Sequence, residues 1–169
     1  MHAAEDSPAD NVRAALEDYG AERIGHAYRL VGEGGNRDIV ASLVRKGVHV
    51  EACPTSSFET GGWAGPAAEA VDWASHPIAE LVRAGVSLGL NTDDPMVFET
   101  DLEKEFQLAR RMGFSEKQLL QLTLSAADAA FISAEERQAL RERVLQGHGV
   151  HEVQASKKAR LHEVGSSNL

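Results

Sequence analysis

The sequence predicts an α/β fold on two observations. A rhythm of helix, glycine and short β-like run repeats three times, and the polar residue types that carry chemistry fall just past the ends of those runs. Repetition of that unit implies parallel strands joined by right-handed crossovers. In such folds ligands bind beyond the carboxyl ends of the strands, whether the sheet is open or closed.

The first unit opens at Ser7-Pro8, an N-cap followed by a proline at the first helical position, and Val12, Ala15, Leu16 and Tyr19 recur at helical spacing up to Gly20. The strand expected after it covers Arg23 to His26. The second unit carries Ile39, Val40, Leu43 and Val44, stops at Gly47 and passes into "VHVEACP", where Val48, Val50 and Ala52 alternate with polar neighbours and Pro54 closes the run. The third begins at Pro77, buries Ile78, Leu81 and Val82, ends at Gly85 and continues into a strand through Val86, Leu88 and Leu90. Between the second strand and the third helix, "TSSFETGGWAGPAAE" reads as a long irregular loop, and "VGEGGN" reads as a turn because it lacks dinucleotide-binding spacing.

Beyond the third strand the pattern is helical. Leu102, Phe106 and Ala109 mark one helix, and "SEKQ" at Ser115 and "SAEE" at Ser133 are capping boxes for two more. The helical pattern stops at Gly147, so residues 1–147 form the expected domain and 148–169 a flexible polar tail.

Seventeen basic against 26 acidic residues give a formal charge of −9, which repels phosphate backbones and anionic membranes and disfavours nucleic acid as a partner. Cys53 is the single cysteine, so no intramolecular disulfide is possible and a reducing, cytoplasmic setting is expected. No apolar stretch approaches the ~20 residues that cross a bilayer.

Five residues stand out as candidate chemistry. His2 and Glu5 flank two alanines on the way into the first helix; an imidazole can ligate zinc and a nearby carboxyl can handle protons, although a histidine beside the first methionine is more often idle. His26 ends a strand, where it is either a functional group or a structural histidine bonded to a carbonyl. Asp93 and Asp94 are adjacent carboxylates that repel one another unless a cation or a hydrogen-bond donor offsets them; the plain alternative is that Asp94 before Pro95 starts a helix. Cys53 could be a ligand, but a lone cysteine ending a buried strand is usually only small and apolar.

Taken together, "HAAE" (His2 to Glu5), "RIGHA", "EACPTSS", "HPI" and "LNTDDP" resemble, in order, the C-terminal half of the zinc-dependent adenosine deaminases, as do "ETGGW", "MVFETDLEKEF" and "MGF". The resemblance runs from about His2 to Gly147. It implies the C-terminal portion of a (β/α)8 barrel of the TIM type, incomplete in this chain, and hydrolysis of the 6-amino group of adenosine or 2′-deoxyadenosine to inosine or 2′-deoxyinosine and ammonia. On the same resemblance His2 and Asp93 are zinc ligands, Glu5 protonates the purine ring nitrogen beside the attacked carbon, His26 holds and deprotonates water, and Asp94 hydrogen-bonds the purine.

Three departures qualify this. The family's HxH motif is absent, only three strands are legible, and even the strand that should deliver His2 is missing from the pattern. The expectation is therefore a fragment that binds zinc poorly, turns over little adenosine and associates, either with a missing N-terminal half or with itself. Ala4 and Ala27 stand where the family usually has glycine, next to the substrate side. The alternatives are a deaminase of a related purine, adenine or AMP, and a non-catalytic half-barrel interaction protein.

Overall fold

A computed structural model describes residues 1–32, 34–63 and 71–149. The chain divides into two compact units, Met1–Ala129 and Ala130–Leu169. The first holds four parallel strands in the order β1-β2-β3-β4: β1 (His2–Ala3), β2 (Arg23–His26), β3 (His49–Ala52) and β4 (Ser87–Leu90). Spatial order follows chain order without reversal. With right-handed crossovers that order winds every connection onto one face of the sheet, so the unit is an arc of a (β/α) barrel and not a doubly wound sheet.

Helices α1 (Asp10–Glu17), α2 (Arg37–Lys46) and α4 (Pro77–Arg83) make the crossovers, with a short α3 (Pro54–Glu59) after β3. Ile24, Val50 and Leu88 occupy one register row of the sheet, and they form one buried cluster with Val12 and Leu16 of α1, Ile39 and Leu43 of α2, and Ile78 and Leu81 of α4. Strand alternation puts Arg23, His49 and Ser87, and above them Gly25, Glu51 and Gly89, on the opposite face. After β4 come α5 (Leu102–Arg111) and α6 (Glu116–Asp128), and on this face a methyl on Gly89 would meet Ala126 of α6 at 2.9 Å and the His49 imidazole at 3.0 Å. Glycine at that position lets α6 pack down onto the sheet.

The expected strands β2, β3 and β4 and the capping box at Ser115 are all present. Four expectations need correction. The strand that delivers His2 exists: His2 and Ala3 pair with Gly25 and His26, and the Gly25 N–H donates to the Met1 carbonyl at 2.8 Å. Helix α1 starts at Asp10 and not at Ser7, whose hydroxyl instead accepts from the Ala4 N–H at 3.2 Å. Pro54 opens α3 and does not merely end a strand, so the first part of the expected loop is helical, while 64–69 of it lie outside the described residues. In α5 the expected inner face holds for Ala109, fully buried, and for Phe106, packed against the core, but Leu102 is 50% exposed and Glu105 is fully buried.

In the second unit a helix, α7, spans 134–149 and so continues through Gly147; the expected tail from 150 onward lies outside the described residues. Ser133 and Glu136 form its reciprocal cap, at 2.9 and 3.2 Å. No helix among the described residues is long and apolar enough to cross a membrane.

Candidate active site at the carboxyl ends of the strands

Parallel strands deliver their last residues to one rim, and the backbone there is strained in a consistent way. Ala4 after β1, His26 and Ala27 at the end of β2, and Asp93 after β4 all have positive φ, at 54°, 74°, 59° and 57°. Each costs a non-glycine residue roughly 1–2 kcal/mol and turns the chain sharply just past its strand. This gives a conformational reason for glycine at the positions of Ala4 and Ala27. Both alanines are fully buried, and neither lines the cleft at the rim.

That cleft, about 460 Å³, is lined among others by His2, His26, Glu51, Cys53, Asn91 and Asp93. His2 leans over β2: its ring meets His26 edge-on with centroids 4.8 Å apart, and a methyl on Gly25 would sit 3.0 Å from the His2 Cδ2. Glycine in "RIGH" therefore makes room for the imidazole from β1. His26 Nε2 lies 3.4 Å from His2 Nδ1 and 3.4 Å from Glu5 Oε2. Burial lowers the pKa of His26 below its ordinary value, against the opposing pull of Glu5, so the ring is neutral near pH 7. Its Nδ1 is buried and has no hydrogen-bond partner.

Glu5 is oriented from below. Thr60 Oγ1 donates to its Oε1 at 2.9 Å, Arg29 Nε donates to its backbone carbonyl at 3.2 Å, and a methyl on Gly62 would meet its Cγ at 2.9 Å. Asp93 receives a short hydrogen bond from Ser56 Oγ, 2.6 Å from Oδ2; this is a donor of the kind that the adjacent carboxylates require. Asp94 is exposed, and its carbonyl accepts from the Val97 and Phe98 N–H groups at 3.0 Å, so it also starts the turn that follows. Asp93 thus has a donor that offsets the repulsion of the pair, whereas the segment after Asp94 is a turn and not the helix of the plain alternative.

Cys53 is the surprise. One nitrogen of His26, Sγ of Cys53 and a carboxylate oxygen of Asp93 all lie within 4.8 Å of one another. Its backbone is clamped by Tyr28, whose buried phenol accepts from the Cys53 N–H at 2.7 Å and donates to the Cys53 carbonyl at 3.2 Å. Burial pushes the thiol pKa up, and the nearby Asp93 charge adds to this. Sequence reasoning brought His2, Glu5, His26 and Asp93 to one rim, but it assigned no part to Ser56, Thr60 or Tyr28. The hydroxyl run "PTSS" was the available signal, obscured because the segment read as loop.

Among the described residues, the donors that converge most tightly are an imidazole, a thiol and a carboxylate, and these types suit zinc. His2, an expected ligand, borders this group through His26 but is outside it.

The adenosine deaminase family model matches residues 1–147. An adenosine deaminase of Xenopus tropicalis is 31% identical over 151 residues, 89% of this chain and 40% of the relative. An adenine deaminase of Rhizobium meliloti (strain 1021) is 38% identical over 141 residues, 83% of this chain and 40% of the relative. Among solved structures, an amidohydrolase from Burkhoderia ambifaria with bound Zn matches with a TM-score of 0.78 at 24% identity, over 92% of this chain and 42% of that one. This chain spans about 40% of the length of the curated relatives it matches.

Proposed function

Because this chain belongs to the adenosine deaminase family, we propose that it carries the acid–base part of a zinc-dependent site that hydrolytically deaminates a purine, adenosine or 2′-deoxyadenosine before others. The observation that carries the reading is the meeting of Glu5, His26 and Asp93 at one rim although they come from three separate strand ends. Zinc in such a site supplies Lewis acidity that makes water a nucleophile near neutral pH.

The rest is the work of the side chains. Glu5, held by Thr60, presents a carboxyl able to donate a proton to the ring nitrogen beside the attacked carbon, which makes that carbon more electrophilic. His26, neutral because it is buried, takes a proton from water at Nε2. Asp93, hydrogen-bonded by Ser56, would hold the metal, and His2 is the second expected ligand. Asp94, exposed at the turn, accepts or shares a hydrogen bond with the purine. Each well-placed proton-transfer group contributes about 10²- to 10⁴-fold. A cytoplasmic setting suits the buried free thiol.

The 38% identity to an adenine deaminase supports adenine as the second substrate reading. The cleft lining carries the Glu51 and Asp93 carboxylates and, among the described residues, no lysine or arginine, which disfavours a phosphorylated purine such as AMP.

The test is the ultraviolet absorbance of adenosine, adenine and AMP with added zinc. It is run on the chain alone and on the chain mixed with a polypeptide carrying the remaining strands of a relative. Expected is deamination of adenosine over AMP that appears or rises on mixing and falls by about 10²-fold or more in Glu5→Gln. Turnover that Glu5→Gln leaves untouched, or none with any of the three purines in the mixture, overturns the reading.

A further inference from the structure

We propose that Ser56 and Thr60, one turn apart on α3, are positioning residues: each holds one oxygen of a working carboxylate and leaves the other oxygen for the chemistry. The catalytic consequence rests on the deaminase reading. The hold on the two carboxyls does not.

A spacing of four residues puts both hydroxyls on one face of the helix, and each meets a different acid. Ser56 Oγ donates to Asp93 Oδ2 at 2.6 Å, and Thr60 Oγ1 donates to Glu5 Oε1 at 2.9 Å. The neighbours of Ser56 fix the helix itself. The Thr55 N–H donates to the buried carboxylate of Glu105 at 3.0 Å, and Ser57 Oγ donates to the Pro54 carbonyl at 2.7 Å while lying 2.8 Å from His76 Nε2. The run "PTSSFET" thus ties α3 to α5 and α4 and, from the same short helix, reaches two carboxylates that come from distant strand ends.

The choice of oxygen decides what Glu5 can do. A methyl on Gly62 would meet Glu5 Cγ at 2.9 Å, so the stem of this side chain is hemmed in and its carboxyl end is the part left to turn. Thr60 Oγ1 has a single hydrogen and two acceptors within reach, Glu5 Oε1 and the Ser56 carbonyl, both at 2.9 Å. An ionised carboxylate is the stronger acceptor of the two. With Oε1 taken in this way, Oε2, 3.4 Å from His26 Nε2, is the oxygen that carries a transferable proton. A proton on Oε1 would instead confront the Thr60 hydrogen and drive it onto the Ser56 carbonyl. In the proposed reaction the proton leaves Oε2 for the purine ring nitrogen, Thr60 keeps its own hydrogen, and the carboxylate left behind already has a donor in place. Ser56 acts alike on Asp93, where Oδ2 is held and Oδ1 is left. Misplacement of a reacting group by about 1 Å can cost on the order of 10²-fold in rate, so a rigid mount for both acids has a kinetic effect.

Carbon-13 NMR of the side-chain carboxyls reads the hold on the full chain, without metal or any second polypeptide. The Glu5 and Asp93 resonances are identified by their loss in Glu5→Gln and Asp93→Asn. Expected is that Thr60→Val moves the Glu5 resonance and leaves that of Asp93, that Thr60→Ser returns it, and that Ser56→Ala moves the Asp93 resonance. Adenosine turnover by the chain mixed with the complementary strands and zinc reads the role. There Thr60→Val should lower kcat at least about tenfold with KM within about twofold, and Thr60→Ser should recover it. Added to Glu5→Gln, Thr60→Val should cost nothing further, because it acts through Glu5, whereas a merely structural loss would add in full. A carboxyl resonance indifferent to removal of its hydroxyl, or a loss in kcat as large in the Glu5→Gln background as in the unmutated chain, overturns the proposal. A mixture that turns over no purine sinks the deaminase reading and the catalytic role with it, while the carboxyl resonances still decide the hold.

Discussion

His76 shows how one buried side chain links local structure to pH. It is 1% exposed; its Nδ1 accepts the Ile78 N–H at 3.3 Å and so caps α4, and its Nε2 sits 2.8 Å from Ser57 Oγ, which itself donates to the Pro54 carbonyl. With Nδ1 accepting and the Ser57 hydrogen spent on Pro54, the ring must be neutral and carry its proton on Nε2. Burial accordingly lowers its pKa from 6.5 to about 3. Above pH 6.5 neither folded nor unfolded chain protonates this ring; between 6.5 and about 3 only the unfolded chain does, so stability falls with falling pH by at most about 1.4 kcal/mol per unit from this group. His49, lowered by burial to about 4, adds to the same slope. Urea midpoints taken from pH 7.5 to 5 should therefore drop, and His76→Asn, which keeps a capping oxygen but cannot titrate, should flatten the profile. An unchanged slope in that variant would refute the role given to His76. Tyr28 supports a second prediction: Tyr28→Phe removes the phenol that holds Cys53 and should cost about 1–3 kcal/mol in the same denaturation, since it leaves the buried Cys53 N–H without its partner.

At the scale of elements, legibility tracked how much of each element is local. Strands β2, β3 and β4 were legible because alternation over four residues is a property of the segment itself. Strand β1 was not, because two residues have no period; only pairing with Gly25 and His26 makes them a strand. The burial of Glu105 was not legible for a similar reason. Helical spacing made Leu102, Phe106 and Ala109 the inner face, yet Glu105 is buried because its carboxylate accepts the Thr55 N–H at 3.0 Å and the Thr100 hydroxyl at 2.6 Å, tying α5 to the start of α3. That partner lies fifty residues away in sequence, where no local pattern could reveal it. The candidate site divides along the same line. His2, Glu5, His26 and Asp93 were found through ordered motifs, whereas Thr60, Ser56 and Tyr28 act through contacts that only the folded chain makes. Glu105→Leu should leave the Thr55 N–H without its acceptor and destabilise by about 1–3 kcal/mol, seen as a lower thermal midpoint. A midpoint within error of the parent chain would show that α3 and α5 are held together by packing alone.

For the whole molecule, sheet closure and net charge oppose one another. Four parallel strands in sequential order bend into an arc, and among the described residues no strand pairs with the outer side of β1 or of β4. Such edges carry backbone donors and acceptors that another strand can satisfy, and exposed apolar side chains beside the β4 end, Met96 at 92% and Val97 at 72%, add to the drive. Against this stands the formal charge of −9, which makes like copies repel. Repulsion between exposed charges is screened beyond about 10 Å at 0.1 M salt, while hydrogen bonds along a strand edge act at contact and are not. Association of the purified chain should therefore rise with concentration through the micromolar range and rise further with added salt, as read by sedimentation velocity. A polypeptide supplying the complementary strands should suppress self-association by capturing those edges in a one-to-one complex. If the chain instead sediments as a monomer at every concentration and salt, the open edges are covered in solution and the arc needs no partner to be stable.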